Sequence, residues 1–190
     1  MLHQQLKAAT QQQHERLHEH PLLRGLGTGE VSRAQWLNAL YAFYAFYAHY
    51  EPQVQQAAPF EQAPVLDWLM KDFTQQGVKP EVAINRCYPL EICGISDLVA
   101  YAYIKQGSTL GGQIISRKLR HSLGLIGGHD QFFFYGYGAC TGEKWKLFLS
   151  QLQQQDGNVD CHQAQESAKV LFATLSDICD RIYKQDMHVS

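Results

Sequence analysis

The sequence has no excess of either charge: Lys and Arg number 16, Asp and Glu 18, a net of −2 at pH 7. A nucleic-acid binder carries a strongly basic face, so that class of partner is not expected. Long hydrophobic runs are missing too. The richest stretch, WLNALYAFYAFYAHY at 36–50, contains Asn38 and His49 and is too short and polar to span a bilayer. The opening MLHQQLKAAT has neither a basic n-region nor an apolar h-region, so no signal peptide is expected, and a cytoplasmic location is. The five cysteines (Cys87, Cys93, Cys140, Cys161, Cys179) form no C-x-x-C and are odd in number, which fits reduced thiols rather than a disulfide framework. No alternating strand pattern, internal repeat or composition shift divides the chain. With 190 residues, 45% of them hydrophobic, it has length and apolar content for one sizeable core.

Helical spacing is what the sequence does have, and it predicts a single all-α domain over residues 1–190. A first helix covers roughly 2–19 and stops at Pro21; Ser32 caps a second that reaches about 50. That second helix is aromatic on nearly every side, so it must lie buried between neighbours. Further helices are expected over 60–75, over 79–88 as a short one, and from Ser96 or Asp97 to about 121. After a glycine-rich loop, GLIGGHDQFFFYGYG, Thr141 caps a helix ending at Asp156-Gly157, and the last runs over about 160–184.

Two stretches carry chemistry. HERLHEHP at 14–21 spells the H-E-x-x-H zinc signature. At 100° per residue, Leu2, Leu6, Ala9, Gln13 and Leu17 form the core stripe of that helix, with His3, Lys7, Thr10, His14 and His18 along one flank. A zinc peptidase needs a third ligand and an edge strand, and neither is evident, so the segment alone reads as polar decoration of a helix edge. Alanine at His18 or His20 is expected to leave binding and activity near wild type. The second stretch, YIKQGSTLGGQIISRKLRH at 103–121, puts Gly107, Gly111 and Gly112 inside a helix at a cost of about 3 kcal/mol relative to alanine. Close helix packing could offset that cost, and so could backbone approaching a flat ligand, with a kink.

Together the two stretches resemble the heme oxygenase family, nearest its bacterial, bacteriophytochrome-associated branch. L-K-A-A-T-Q-Q-Q-H at 6–14 is similar to the family's proximal motif, G-S-T-L-G-G-Q at 107–113 to its distal helix, and A-K-x-x-F at 168–172 to a weaker pattern near the end. The resemblance implies a multi-helix bundle with heme between the first helix and a glycine-kinked distal helix. It implies cleavage of heme to biliverdin, ferrous iron and carbon monoxide, using O2 and electrons from ferredoxin or an NAD(P)H-linked reductase. His14 would be the axial iron ligand, and Gly107, Ser108 and Gly111 would shape the oxygen and water network. Lys7, Thr10, Tyr103, Gly107, Gly111, Gly112 and Phe172 would hold heme, with Lys7 on a propionate. Ser108 stands where the animal motif has a carboxylate, and Gln11 where it has a second lysine. Arg117, Lys118 and Arg120 read either as a solvated helix end or as a dock for an acidic electron donor. The rival of the same fold is a heme carrier or sensor without turnover. A di-iron carboxylate enzyme would need E-x-x-H companions that Glu51 and Glu91 lack.

Overall fold

Ser32 starts the aromatic helix as its spacing predicts. Its Oγ accepts from the Gln35 N–H at 3.1 Å while the Gln35 side chain accepts from the Ser32 N–H at 2.9 Å, a reciprocal cap. The computed structural model describes residues 2–54, 59–80 and 88–187. In it, helices follow in the order α1 (Leu2–Glu19), α2 (Arg24–Thr28), α3 (Arg33–Tyr50), α4 (Val65–Gln75), α5 (Ile95–Leu123), α6 (Thr141–Gln154) and α7 (Cys161–Met187). The described residues contain no strand, only an isolated bridge between Gly127 and Gln131. The all-α expectation therefore holds. The short helix expected over 79–88 falls largely on 81–87, outside the described residues, as does Cys87.

The long helices α5 and α7 pack on each other; α7 also meets α1 and α3, and α5 also meets α6 and α2. Trp36, Phe46, Tyr47 and Tyr50 of α3 and Tyr101 of α5 are fully buried in one continuous core. An all-round apolar helix such as α3 can lie only at such a place. No helix among the described residues is long and apolar enough to cross a membrane.

Three helix starts differ from expectation, the first being α4, which begins at Val65 behind Pro64 rather than near 60. α5 begins at Ile95 with Gly94 as its cap, not at Ser96 or Asp97. Ser96 Oγ instead accepts from Asp160 N–H (3.0 Å), and the Asp97 carboxylate accepts from the Ser167 hydroxyl (2.6 Å) and Gln163 Nε2 (3.0 Å). These bonds tie α5 to the start of α7, while the second Asp97 oxygen also accepts from the Cys93 N–H (3.3 Å) just ahead of α5. Thr141 is the first residue of α6 rather than its cap, and its hydroxyl donates to the Gly138 carbonyl (2.8 Å). The five-residue α2 has no sequence signal, since RGLGT is a poor helix former. Tertiary packing makes it: Leu26 is buried, and Gly29 closes it at φ 87°.

Candidate functional site

A cavity with about 990 Å³ of free space, counting its mouth, lies between α1, α2, α3, α5, α7 and the loop after α5. From α1 it is lined by His14, Leu17 and His18; from α5 by Tyr103, Ile104, Gly107, Ser108, Gly111, Gly112 and Ile115. Phe172 and Leu175 of α7, Phe43 and Tyr47 of α3, and Phe133 and Phe134 of the loop add apolar walls. Helical spacing is what aligns these groups. Residues 103, 107 and 111 recur every four positions, so they face the same way along α5.

His14 is exposed as a residue, but its ring stands at the cavity edge, edge-on to Phe172 at 6.1 Å. Burial of that ring lowers its pKa from 6.5, and His18 beside it adds to this while Glu15 opposes it. A lowered pKa keeps the imidazole neutral, with a lone pair available to a metal. The His14 and His18 rings are 4.5 Å apart. Yet among the described residues no group of three or more His, Cys, Asp or Glu side chains is placed to hold a metal ion, so the H-E-x-x-H string lacks the rest of a zinc site.

The three glycines divide their duties. A Cβ built on Gly107 or Gly111 would meet nothing within 4 Å, which leaves bare backbone over open space. One on Gly112 would sit 2.7 Å from the Phe134 carbonyl oxygen, so that glycine serves close packing of loop on helix. Ser108 is engaged with protein. Its hydroxyl donates to the Lys105 carbonyl (2.7 Å), so the Tyr47 hydroxyl, 2.9 Å away, is the donor to Ser108 Oγ. Burial raises the Tyr47 phenol well above its ordinary range and keeps it a donor. Behind it, Glu51 accepts from the Tyr101 hydroxyl and from Lys105 Nζ (2.7 Å). Lys105 is only 1% exposed, and burial lowers its pKa against the pull of Glu51. Sequence reading missed Tyr47, Glu51, Tyr101 and Lys105. The signal was one of spacing: 47 and 51, and 101, 105 and 108, each share a helix face.

Lys7 and Thr10 are not among the residues that line the cavity. Lys7 is exposed on α1 two turns before His14, about 10 Å along the axis, beyond the part of α1 that lines the space. Thr10 is 1% exposed, on the core side rather than the flank, and its hydroxyl donates to the Leu6 carbonyl at 2.8 Å. It stands behind Tyr103, whose phenol is raised by burial and lowered by a hydrogen bond with Thr10. Arg117, Lys118 and Arg120 are exposed and line no part of the cavity, and the Lys118 stem lies against Gly29.

A helical protein that faces a histidine of its first helix toward glycine backbone on a long central helix, across an apolar cleft, is built as a ligand-binding bundle. The chain belongs to the heme oxygenase family, whose profile matches residues 1–180. In fold it is similar to the heme oxygenase of Leptospira interrogans (TM-score 0.73, 19% identity, 95% of this chain and 98% of that one). It is also similar to heme oxygenase-1 of the cyanobacterium Synechocystis sp. PCC6803, solved in complex with heme (TM-score 0.74, 15% identity, 99% and 95%). No curated protein sequence matches the chain significantly.

Proposed function

We propose that residues 1–190 act as one cytoplasmic heme oxygenase domain that opens heme to biliverdin, releasing ferrous iron and carbon monoxide. One observation carries this reading: His14 and the bare backbone of Gly107 and Gly111 line the same apolar cavity. Heme is substrate and cofactor at once, and when bound it would supply the iron and oxygen chemistry. The residues present suit it. Neutral His14 offers one nitrogen ligand, Gly107 and Gly111 leave space for a flat ring, and Phe43, Phe133, Phe134, Phe172 and Leu175 exclude water. Tyr47 directs its proton to Ser108 Oγ, which positions a hydroxyl at the cavity wall. Electrons would come from ferredoxin or an NAD(P)H-linked reductase, with exposed Arg117, Lys118 and Arg120 attracting an acidic donor.

A second reading has its own observation: no carboxylate lines the cavity, and Ser108 is occupied by protein partners. That favours heme carriage without turnover. Hemin titration followed by ascorbate or a ferredoxin system under O2 separates the two. An oxygenase gives a one-to-one complex with a sharp Soret band that decays as biliverdin absorption grows. A stable complex that never yields biliverdin establishes the carrier. His14→Ala should lose the axial ligand and most turnover, with added imidazole restoring part; an unchanged spectrum would remove His14 as the ligand.

A further inference from the structure

Asp72 sits on α4, which lines no part of the cavity, and is fully buried. Its two carboxylate oxygens accept from the backbone N–H groups of Phe132 (2.7 Å) and Phe133 (2.9 Å). Phe133 and the next residue, Phe134, form the cavity's loop wall. Beyond the wall, Gly136 and Gly138 have φ of 53° and 58°, and before it Gly128 has 77°, so the segment is flanked by turns rather than regular structure. Its other anchors are Gln113, which donates to the Tyr135 carbonyl (2.6 Å), Gln131, which donates to those of Ser116 and Leu125 (2.9 Å each), and Lys71, whose Nζ lies 5.7 Å from the centre of the Phe132 ring. Asp72 is therefore a charged hydrogen-bonding tie between this wall and the rest of the fold, and charge-assisted bonds are about twice as strong as neutral ones.

The lining side chains include no Lys or Arg that could fix the rotation of a ring in its own plane. Inside the cavity only steric contact with the walls acts on it, in addition to any propionate contact that Lys7 makes outside. Resting on the heme reading above, we propose that Asp72 is a positioning residue for regiochemistry: it sets where the Phe133–Phe134 wall stands, and so which bridging carbon of a bound porphyrin is opened.

The test is a single turnover of hemin with ascorbate and O2 at pH 8, the biliverdin isomers being separated by chromatography. Wild type should give one dominant isomer. Asp72→Asn turns one acceptor into a donor facing an N–H, and should raise the minor isomers at least fivefold. Gln113→Ala, which frees the Tyr135 carbonyl, should shift the ratio in the same direction and carries the test if Asp72→Asn does not fold. Asp97→Asn removes a different buried carboxylate that ties α5 to α7, and should destabilise the protein without changing the ratio. An unchanged ratio in Asp72→Asn, or an equal shift in Asp97→Asn, overturns the proposal. In ligand-free protein the Phe132 and Phe133 amides should exchange hydrogen at least tenfold faster in Asp72→Asn; equal rates overturn the anchor whatever the protein binds. A wild type that takes up no hemin overturns the heme reading and the regiochemical role with it, while exchange still reports on the anchor.

Discussion

Gly111 and Gly112 are neighbours with opposite roles, and substitution separates them. In Gly111→Leu the side chain would project into open space, so the fold should be as stable as wild type or about 1 kcal/mol more stable from helix propensity. Hemin affinity should fall at least tenfold, because the leucine occupies the space of the ring; wild-type affinity would mean that Gly111 serves packing alone. Gly112→Ala forces a methyl to 2.7 Å from the Phe134 oxygen and should destabilise by about 1–3 kcal/mol, read as a lower melting temperature. His20 has a structural role. Its Nδ1 accepts from the Leu22 N–H (3.1 Å), which leaves the proton on Nε2 facing Asp180 Oδ1 at 3.3 Å, and the residue is 8% exposed. His20→Ala should therefore lower the denaturant midpoint by the equivalent of about 1–3 kcal/mol, while exposed His18→Ala should not.

The elements α3 and α5 are joined by charge as well as by aromatic packing. Glu51, just past the end of α3, holds Lys105 and Tyr101 of α5, and one turn earlier Tyr47 holds Ser108. Glu51→Ala strands a buried ammonium and should cost about 3 kcal/mol, measured by urea unfolding. Tyr47→Phe keeps the aromatic bulk but removes the donor to Ser108. It should leave the hemin dissociation constant within about threefold of wild type, a difference of about 0.7 kcal/mol, and slow biliverdin formation. A fall in hemin affinity with unchanged turnover of the loaded protein would mean the hydroxyl serves packing only. This junction was illegible in sequence because an aromatic helix reads as core, and pattern alone does not say which hydroxyl finds a partner.

For the whole molecule, Asp72 links stability to pH. Burial pushes its carboxyl from 3.8 up to about 7, against the opposing effect of the two N–H bonds from Phe133 and Phe132. A raised folded-state pKa means that between about pH 4 and 7 the native chain keeps a proton the unfolded chain has lost. Its contribution is therefore most favourable on the acid side, fades as pH rises through that window and is level above 7, by up to about 4 kcal/mol. Subtracting urea-unfolding profiles of Asp72→Asn from wild type at pH 5–8 should expose that slope; parallel profiles would mean Asp72 is ionised throughout. The anchor that Asp72 provides spans 60 residues, and no local pattern announces it. What sequence alone determined here is what recurs within a few residues: the extents of α1, α3 and α7, the Ser32 cap, the positions of His14 and the three glycines, and with them the family. Tertiary structure decided everything that depends on which helices meet: Thr10 buried and Lys7 outside, Gly112 packing while Gly111 stays open, and a buried Lys105 behind Ser108. Helical period fixes the direction in which a side chain leaves its own helix, but its partner is set by the packing of the rest of the chain.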